Sequence, residues 1–154
     1  MYNVIIDSRE KMPFSFPIKD LCQGSIVKKL DTGDYSMEGY EDILCIERKR
    51  TVSEIAQNIT QDRFKNELCR MSDYKYKFII YEFDWLDVLN FPYNSNLPKS
   101  LIKRIRTRGK FLQSALLGIN AIYNVHTHYA GSTAKANDYC NLLMSFVWKR
   151  ENGN

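Results

Sequence analysis

Apolar positions along this chain switch between a strand period and a helix period, and the switches predict the elements. Residues 2–6 are a short β-rich run that ends at Asp7-Ser8-Arg9-Glu10, a first strand delivering acids at its C-terminal end. Pro13 and Pro17 break the following stretch into a loop, with a brief helical turn over 18–22. Residues 25–30 predict a second strand, and residues 35–37 and 43–49 flank Glu38-Gly39-Tyr40 as a hairpin. From 51 to about 70 the period becomes helical, with Val52, Ile55, Ala56 and Ile59, then Phe64, Leu68 and Met71, on one apolar face. That stripe slips over 60–63, which predicts two helical pieces with a kink. Residues 76–82 form a continuous apolar run, as in a strand covered on both faces. Residues 91–98 read as a loop and 98–123 as a helix broken near Gly109. A last strand over 125–130 precedes a helix capped by Gly131-Ser132 and reaching about residue 150. Strands interleaved with helices, without repeat or linker, predict one α/β domain over 1–154, with three layers around a central mixed β-sheet.

Composition narrows the class only mildly. A net charge of +4 permits nucleic-acid binding without demanding it, so where the charge lies matters more than the sum. Cys22, Cys45, Cys69 and Cys140 form no C-x-x-C pair, and Met1 leads straight into a strand-like run. The expectation is an intracellular, cytoplasmic protein with reduced thiols. The longest stretch free of Lys, Arg, Asp and Glu, 111–134, carries too many polar residues for a membrane span.

The candidate chemistry centres on Gly33-Asp34 and on Glu47-Arg48-Lys49. In a strand ending at Lys49, side chains alternate faces, so Glu47 and Lys49 point one way and Arg48 the other. Asp34, expected at or near the start of the first hairpin strand, brings in a second carboxylate. Two hard oxygen ligands suit Mg²⁺ or Mn²⁺, which keep several waters and meet a phosphate. Lys49 can orient or deprotonate a water, or neutralise charge on the scissile phosphate. Taken singly these residues have blander readings: Asp7 and Glu10 as surface acids, Asp34 as a turn residue, Glu47-Arg48-Lys49 as a solvated strand end. Together, an Asp followed by E-x-K on a hairpin resembles the restriction-enzyme-like nucleases, a three-layer α/β fold.

Three linked motifs sharpen the resemblance. Ile6-Asp7-Ser8-Arg9-Glu10, Leu30-Asp31-Thr32-Gly33-Asp34-Tyr35 and Glu47-Arg48-Lys49 follow in order the V-D-x-R-E, L-x-x-G-D-Y and E-R-K-x-x-x-D patterns of the XPF-type nucleases. The segment from Ile59 to Phe64, around Arg63, and the run from Phe78 to Glu82 resemble that family's next segments, so the clear matches cover 4–83. The resemblance implies that Asp34 and Glu47 are the main metal ligands, with Asp7 completing the site and Lys49 positioning or activating water. It gives Arg9, Glu10 and Arg48 supporting roles, through hydrogen bonds to carboxylates or to DNA phosphates. It also implies structure-specific cutting of flaps, forks or Holliday junctions in recombination, repair or replication, and it allows a homodimer. One position departs: the motif's final Asp falls at Ser53, with Glu54 beside it. Glu54 either substitutes after a one-residue shift or closes a capping box with Thr51; the capping role is the preferred reading and leaves Glu54 outside the site.

A second feature is the basic segment Lys99, Lys103, Arg104, Arg106, Arg108 and Lys110, which no acid interrupts. Its bland reading is a solvated helix face. Beside a phosphodiesterase site, it reads instead as a track for the DNA backbone, extended by Arg63 and Lys65. His126 and His128 share a strand face but lack partners at zinc-ligand spacing, and Trp85 and Trp148 read as packing residues. Helix-hairpin-helix motifs, usual in the family, have only a faint half-match at Gly118, which leaves a stand-alone nuclease domain of the kind that suits phage or mobile elements. Two other classes stay open: a non-catalytic DNA-binding subunit, and a sequence-specific restriction-type endonuclease of the same fold.

Overall fold

The computed structural model describes residues 1–153. Strands β1 (Tyr2–Asp7), β2 (Cys22–Lys28), β3 (Tyr35–Met37) and β4 (Leu44–Lys49) come first, followed by helices α1 (Val52–Asn58) and α2 (Asp62–Ser72). Then come β5 (Tyr76–Tyr81), α3 (Trp85–Asn90), α4 (Lys99–Ile102), α5 (Gly109–Tyr123), β6 (His126–Tyr129) and α6 (Thr133–Glu151). The six strands form one sheet in the order β2-β1-β3-β4-β5-β6. Pairings β1–β2, β4–β5 and β5–β6 are parallel, whereas β1–β3 and β3–β4 are antiparallel, so the sheet is mixed as expected.

Alternation along the strands divides the core into two layers. Val4, Ile6, Tyr35, Leu44 and Ile46 pack on one side with Ala136, Cys140, Met144 and Val147 of α6. Cys45, Ile79 and Tyr81 face the other side, against Ile55 of α1, Phe64 and Leu68 of α2, and Leu112, Leu116 and Ile119 of α5. The buried α5 positions recur at four and three residues, the spacing that puts them on one helix face. The hairpin, the separation of α1 from α2 and the last strand and helix lie where the pattern puts them, within a residue or two. Among the described residues, no helix is long and apolar enough to cross a membrane.

Three segments differ from expectation. The helical turn expected over 18–22 is a tight turn in which Lys19 and Cys22 exchange backbone hydrogen bonds, with Asp20 in the left-handed region at φ 51°. Consequently β2 starts at Cys22 rather than 25 and ends at Lys28 rather than 30. Helix α3 has no counterpart in the apolar pattern and is fixed by its cap: Asp84 and Asp87 accept from each other's backbone N–H at 2.9 Å. Finally, the break near Gly109 is wider than a kink, because residues 103–108 are turn and coil between α4 and α5.

Gly109 explains that break. A Cβ there would sit 2.0 Å from the Leu89 carbonyl oxygen and 2.7 Å from its carbon, so the start of α5 touches the backbone of α3 directly. Gly109→Ala should therefore push α3 and α5 apart and cost about 1–3 kcal/mol, the range for overpacking. A melting temperature equal to that of the unaltered protein would contradict this.

Candidate active site

β1, the loop before β3 and the end of β4 meet at one edge of the core. Gly33 adopts φ 84°, and a Cβ on it would lie 2.7 Å from Cys45 Sγ and 3.0 Å from the Ile46 carbonyl oxygen. Only glycine combines that backbone with so close an approach to β4. The approach fixes Asp34: its N–H donates to the Ile46 carbonyl, its carbonyl accepts from Asp7 N–H, and its Oδ2 accepts from Arg48 N–H, each at 2.8 Å. Along β4 the side chains alternate as expected. Lys49 Nζ donates to Glu47 Oε1 at 2.7 Å and lies 5.1 Å from the centre of the Phe64 ring, on the α2 side. Arg48 lies over Phe14 on the α6 side, at 4.3 Å.

An open cleft of about 610 Å³ collects Asp7, Arg9, Glu10, Asp34, Glu47, Arg48, Lys49 and Arg63, all of them candidates from the sequence. The rest of the basic track lies elsewhere. Arg106 lines a neighbouring cavity against α1, while Lys65, Lys99, Lys103, Arg104, Arg108 and Lys110 line neither. Lys65 pairs with Asp62 at 3.5 Å. Arg108 holds its own loop, donating to Tyr93 Oη at 2.5 Å and to the Ile102 carbonyl at 3.4 Å. His128 stacks on Tyr139 at 3.6 Å and His126 lies 5.2 Å from Phe78, so both rings pack against aromatics. Trp85 packs on Tyr129 and Trp148 near Tyr2.

The cleft also holds residues that the motifs do not mark. Glu67 and Arg70 join Arg63 along one face of α2, a 63/67/70 spacing that could have flagged them. Arg70 Nε donates to Thr32 Oγ1 at 3.1 Å and ties α2 to the loop before Gly33. Lys11 and Arg50 add two cations to the rim. Glu54 does more than cap. Its N–H donates to Thr51 Oγ1 and its Oε2 accepts from Arg50 N–H, yet it lines the cleft with Oε1 3.9 Å from Lys49 Nζ. Ser53 faces away, into cavities between α1 and the 91–107 segment.

The acids differ in how far they are already engaged. Asp7 is buried, and its two oxygens accept from Arg9 N, Nε and Nη2 and from Leu30 N at 2.7–3.1 Å. Burial opposes its charge, but these donors outweigh it and hold the carboxyl below its usual range. Four donors fill the lone-pair sites of a carboxylate, so in this arrangement Asp7 positions Arg9 and the Leu30 turn. Burial pushes the Asp34 carboxyl up to about 7, against the pull of Arg48 N–H and Lys49. Burial and then the Asp34 charge push Glu47 well above its usual value. Lys49, opposed by burial, is held above its ordinary value by Glu47 and stays an ammonium.

Among the described residues, no three His, Cys, Asp or Glu side chains converge into a ready metal cage. The donor set still fits a hard divalent ion. Two desolvated carboxylates repel each other, each keeps an oxygen without a hydrogen-bond donor among the described residues, and one ammonium already stands beside them.

On the opposite face Arg48 is the hub of a buried network. Its guanidinium donates to Glu82, to the Met12 carbonyl and to Tyr35 Oη, and lies 3.7 Å from Glu10 Oε2. Glu82 in turn accepts from Thr133 Oγ1 at 2.5 Å, at the start of α6.

A mixed sheet between helical layers, with a carboxylate- and lysine-lined cleft at strand ends, is an α/β architecture of the restriction-enzyme-like class. The model of the ERCC4 domain matches residues 6–143, and the chain belongs to that family of XPF-type nuclease domains. Its fold is similar to XPF from Aeropyrum pernix at a TM-score of 0.67 and 22% identity, over 98% of this chain and 67% of that one. XPF from the same organism in complex with DNA is similar at a TM-score of 0.62 and 21% identity, over 99% and 66%. The chain thus spans about two thirds of the length of each. No curated protein matches the sequence.

Proposed function

We propose that this chain is a Mg²⁺- or Mn²⁺-dependent endodeoxyribonuclease that hydrolyses phosphodiester bonds in branched DNA, such as flaps, forks or Holliday junctions. The observation that carries the reading is the meeting of Asp34, Glu47 and Lys49 at the floor of one open cleft in an ERCC4 domain. DNA as the ligand draws support from the similar XPF bound to DNA. The nuclease unit is the whole of 1–154, it acts inside the cell, and a homodimer is the assembly the family resemblance offers.

Asp34 and Glu47 are the residues that would hold the divalent ion. The ion, when bound, supplies Lewis-acid polarisation of the phosphate and of the attacking water. Lys49 remains charged beside Glu47, which suits it to orient a water and offset phosphate charge rather than to act as the base. Asp7 acts one step back, by holding Arg9 and the Leu30 turn that leads to Asp34. Arg9, Lys11, Arg50, Arg63 and Arg70 surround the opening and suit contact with backbone phosphates, which gives affinity without reading sequence.

Labelled linear duplex, 3′-flap and four-way junction DNA, incubated with Mg²⁺, Mn²⁺ or EDTA, tests the proposal. Cutting of the branched substrates is expected with either ion and not in EDTA, and Glu47→Ala and Lys49→Ala should remove it. No cutting by the unaltered protein, or equal cutting by the variants, would overturn the catalytic assignment. Sequence-dependent cutting of linear duplex would indicate the restriction-type alternative.

The exposed loop cations extend the phosphate path away from the cleft. Replacing Lys103, Arg104 and Arg106 together by Ala should weaken DNA binding and flatten its log–log salt dependence by about one unit per lost contact. An unchanged slope would confine the path to the rim of the cleft.

A further inference from the structure

We infer that Glu67 on α2 is the third carboxylate with which this cleft holds a divalent cation, acting through the ion's water shell. The inference rests on the reading of the cleft as a metal-dependent nuclease site. The acid that the motif would put at position 53 is a serine facing away from the cleft. Asp31 also lines the cleft but is exposed, so water solvates its charge, and the remaining acids are spoken for. Asp7 has four donors, Glu10 accepts from Met12 N–H and faces Arg48, and Glu54 is held by Arg50 N–H.

Glu67 differs from all of these. It is half-buried in the cleft wall, and no hydrogen bond or ion pair engages it among the described residues, although Arg63 and Arg70 flank it on the same face. It lines the same cleft as Asp34, Glu47 and Lys49. A partly buried carboxylate without a partner, sharing a cleft with two others, offers a cation a further oxygen acceptor. The three do not converge as direct ligands. An outer role therefore suits Glu67, since Mg²⁺ and Mn²⁺ keep waters whose protons need acceptors.

Titration of Mn²⁺ near neutral pH, following loss of the free-ion electron paramagnetic resonance signal, reads this without any cutting. Glu67→Gln should raise the Mn²⁺ dissociation constant by about tenfold or more, the effect of losing an outer-sphere partner. Glu67→Asp, which keeps the charge but retracts it, should fall between, and Ser53→Ala should match the unaltered protein. Gln keeps the size of the side chain and loses no hydrogen bond or ion pair among the described residues, and an unchanged circular-dichroism melt checks that the variant is folded. If Glu67→Gln binds as tightly as the unaltered protein while Asp34→Asn binds weakly, the assignment of Glu67 fails and the nuclease reading stands. If the unaltered protein takes up no Mn²⁺, both fail together.

Discussion

Arg48→Ala should lower the melting temperature by roughly 6–20 °C, because it leaves a buried carboxylate without its partner, a loss of about 3–5 kcal/mol. The Arg48 and Glu82 side chains are 4% and 7% exposed, so water cannot solvate Glu82 once the guanidinium is gone. The same substitution frees the Met12 carbonyl and removes the cation over Phe14, which loosens the 10–16 loop beside the cleft. Arg48→Lys keeps the charge but not the fork that reaches Glu82, Met12 and Tyr35 together, so it should fall between. Arg48→Met with Glu82→Leu removes both charges and should recover at least half of the loss, since a buried pair exchanged for apolar side chains is often neutral. Scanning calorimetry of the four proteins decides it. An Arg48→Ala protein that melts with the unaltered one would show that the network contributes nothing net.

Arg48 also marks what the sequence could and could not show. Alternation in β4 separates Arg48 from Glu47 and Lys49, and that much was legible from spacing alone. Its partners were not, because Glu82 ends a different strand and Met12 sits in a proline-flanked loop; contact depends on how the sheet and α6 pack. The same limit explains α2. Its apolar stripe predicted a helix correctly, yet whether its polar face looked at solvent or at the acids depended on docking, so Arg63 was marked and Glu67 and Arg70 were not. The segment from Lys99 to Lys110 departs from its helical reading for a related reason. Six basic residues look like one helix face, but Gly109 against the Leu89 carbonyl stops α5 there, and Arg108 turns back onto Tyr93. Elements that depend on their own periodicity or caps were readable; those set by a contact far along the chain were not.

Glu47→Gln should slow cutting by about a hundredfold or more, the scale of removing one preorganised electrostatic contact in a site, and yet stabilise the metal-free protein at neutral and higher pH. In the folded protein Asp34 titrates at about 7 and Glu47 is raised by burial and by Asp34, whereas their ordinary values are 3.8 and 4.5. Below those ordinary values both states hold the protons and the native arrangement keeps its full stability. As pH rises towards 7 the unfolded chain has released protons that the native one still binds, so stability is lost across that window. Ionising both carboxylates at higher pH sets two negative charges side by side, with the Arg48 N–H and Lys49 relieving the repulsion of Asp34 in part and Glu10 and Glu67 adding to it. A glutamine at 47 removes one of those charges, still offers Lys49 an acceptor oxygen, and lets Asp34 ionise at lower pH. Asp7, whose carboxyl is held low, contributes stability that disappears as pH falls below its ordinary value; it is common to both proteins and cancels in the comparison. In EDTA, the two melting temperatures should nearly coincide at about pH 5 and separate in favour of the variant by about pH 8. Added Mn²⁺ should reverse the order at the higher pH, because an ion that binds only the native carboxylate pair stabilises the protein that keeps both. A variant that melts below the unaltered protein in EDTA at the higher pH would mean that the paired carboxylates are not a source of strain, and the case for a cation between them would lose its electrostatic basis.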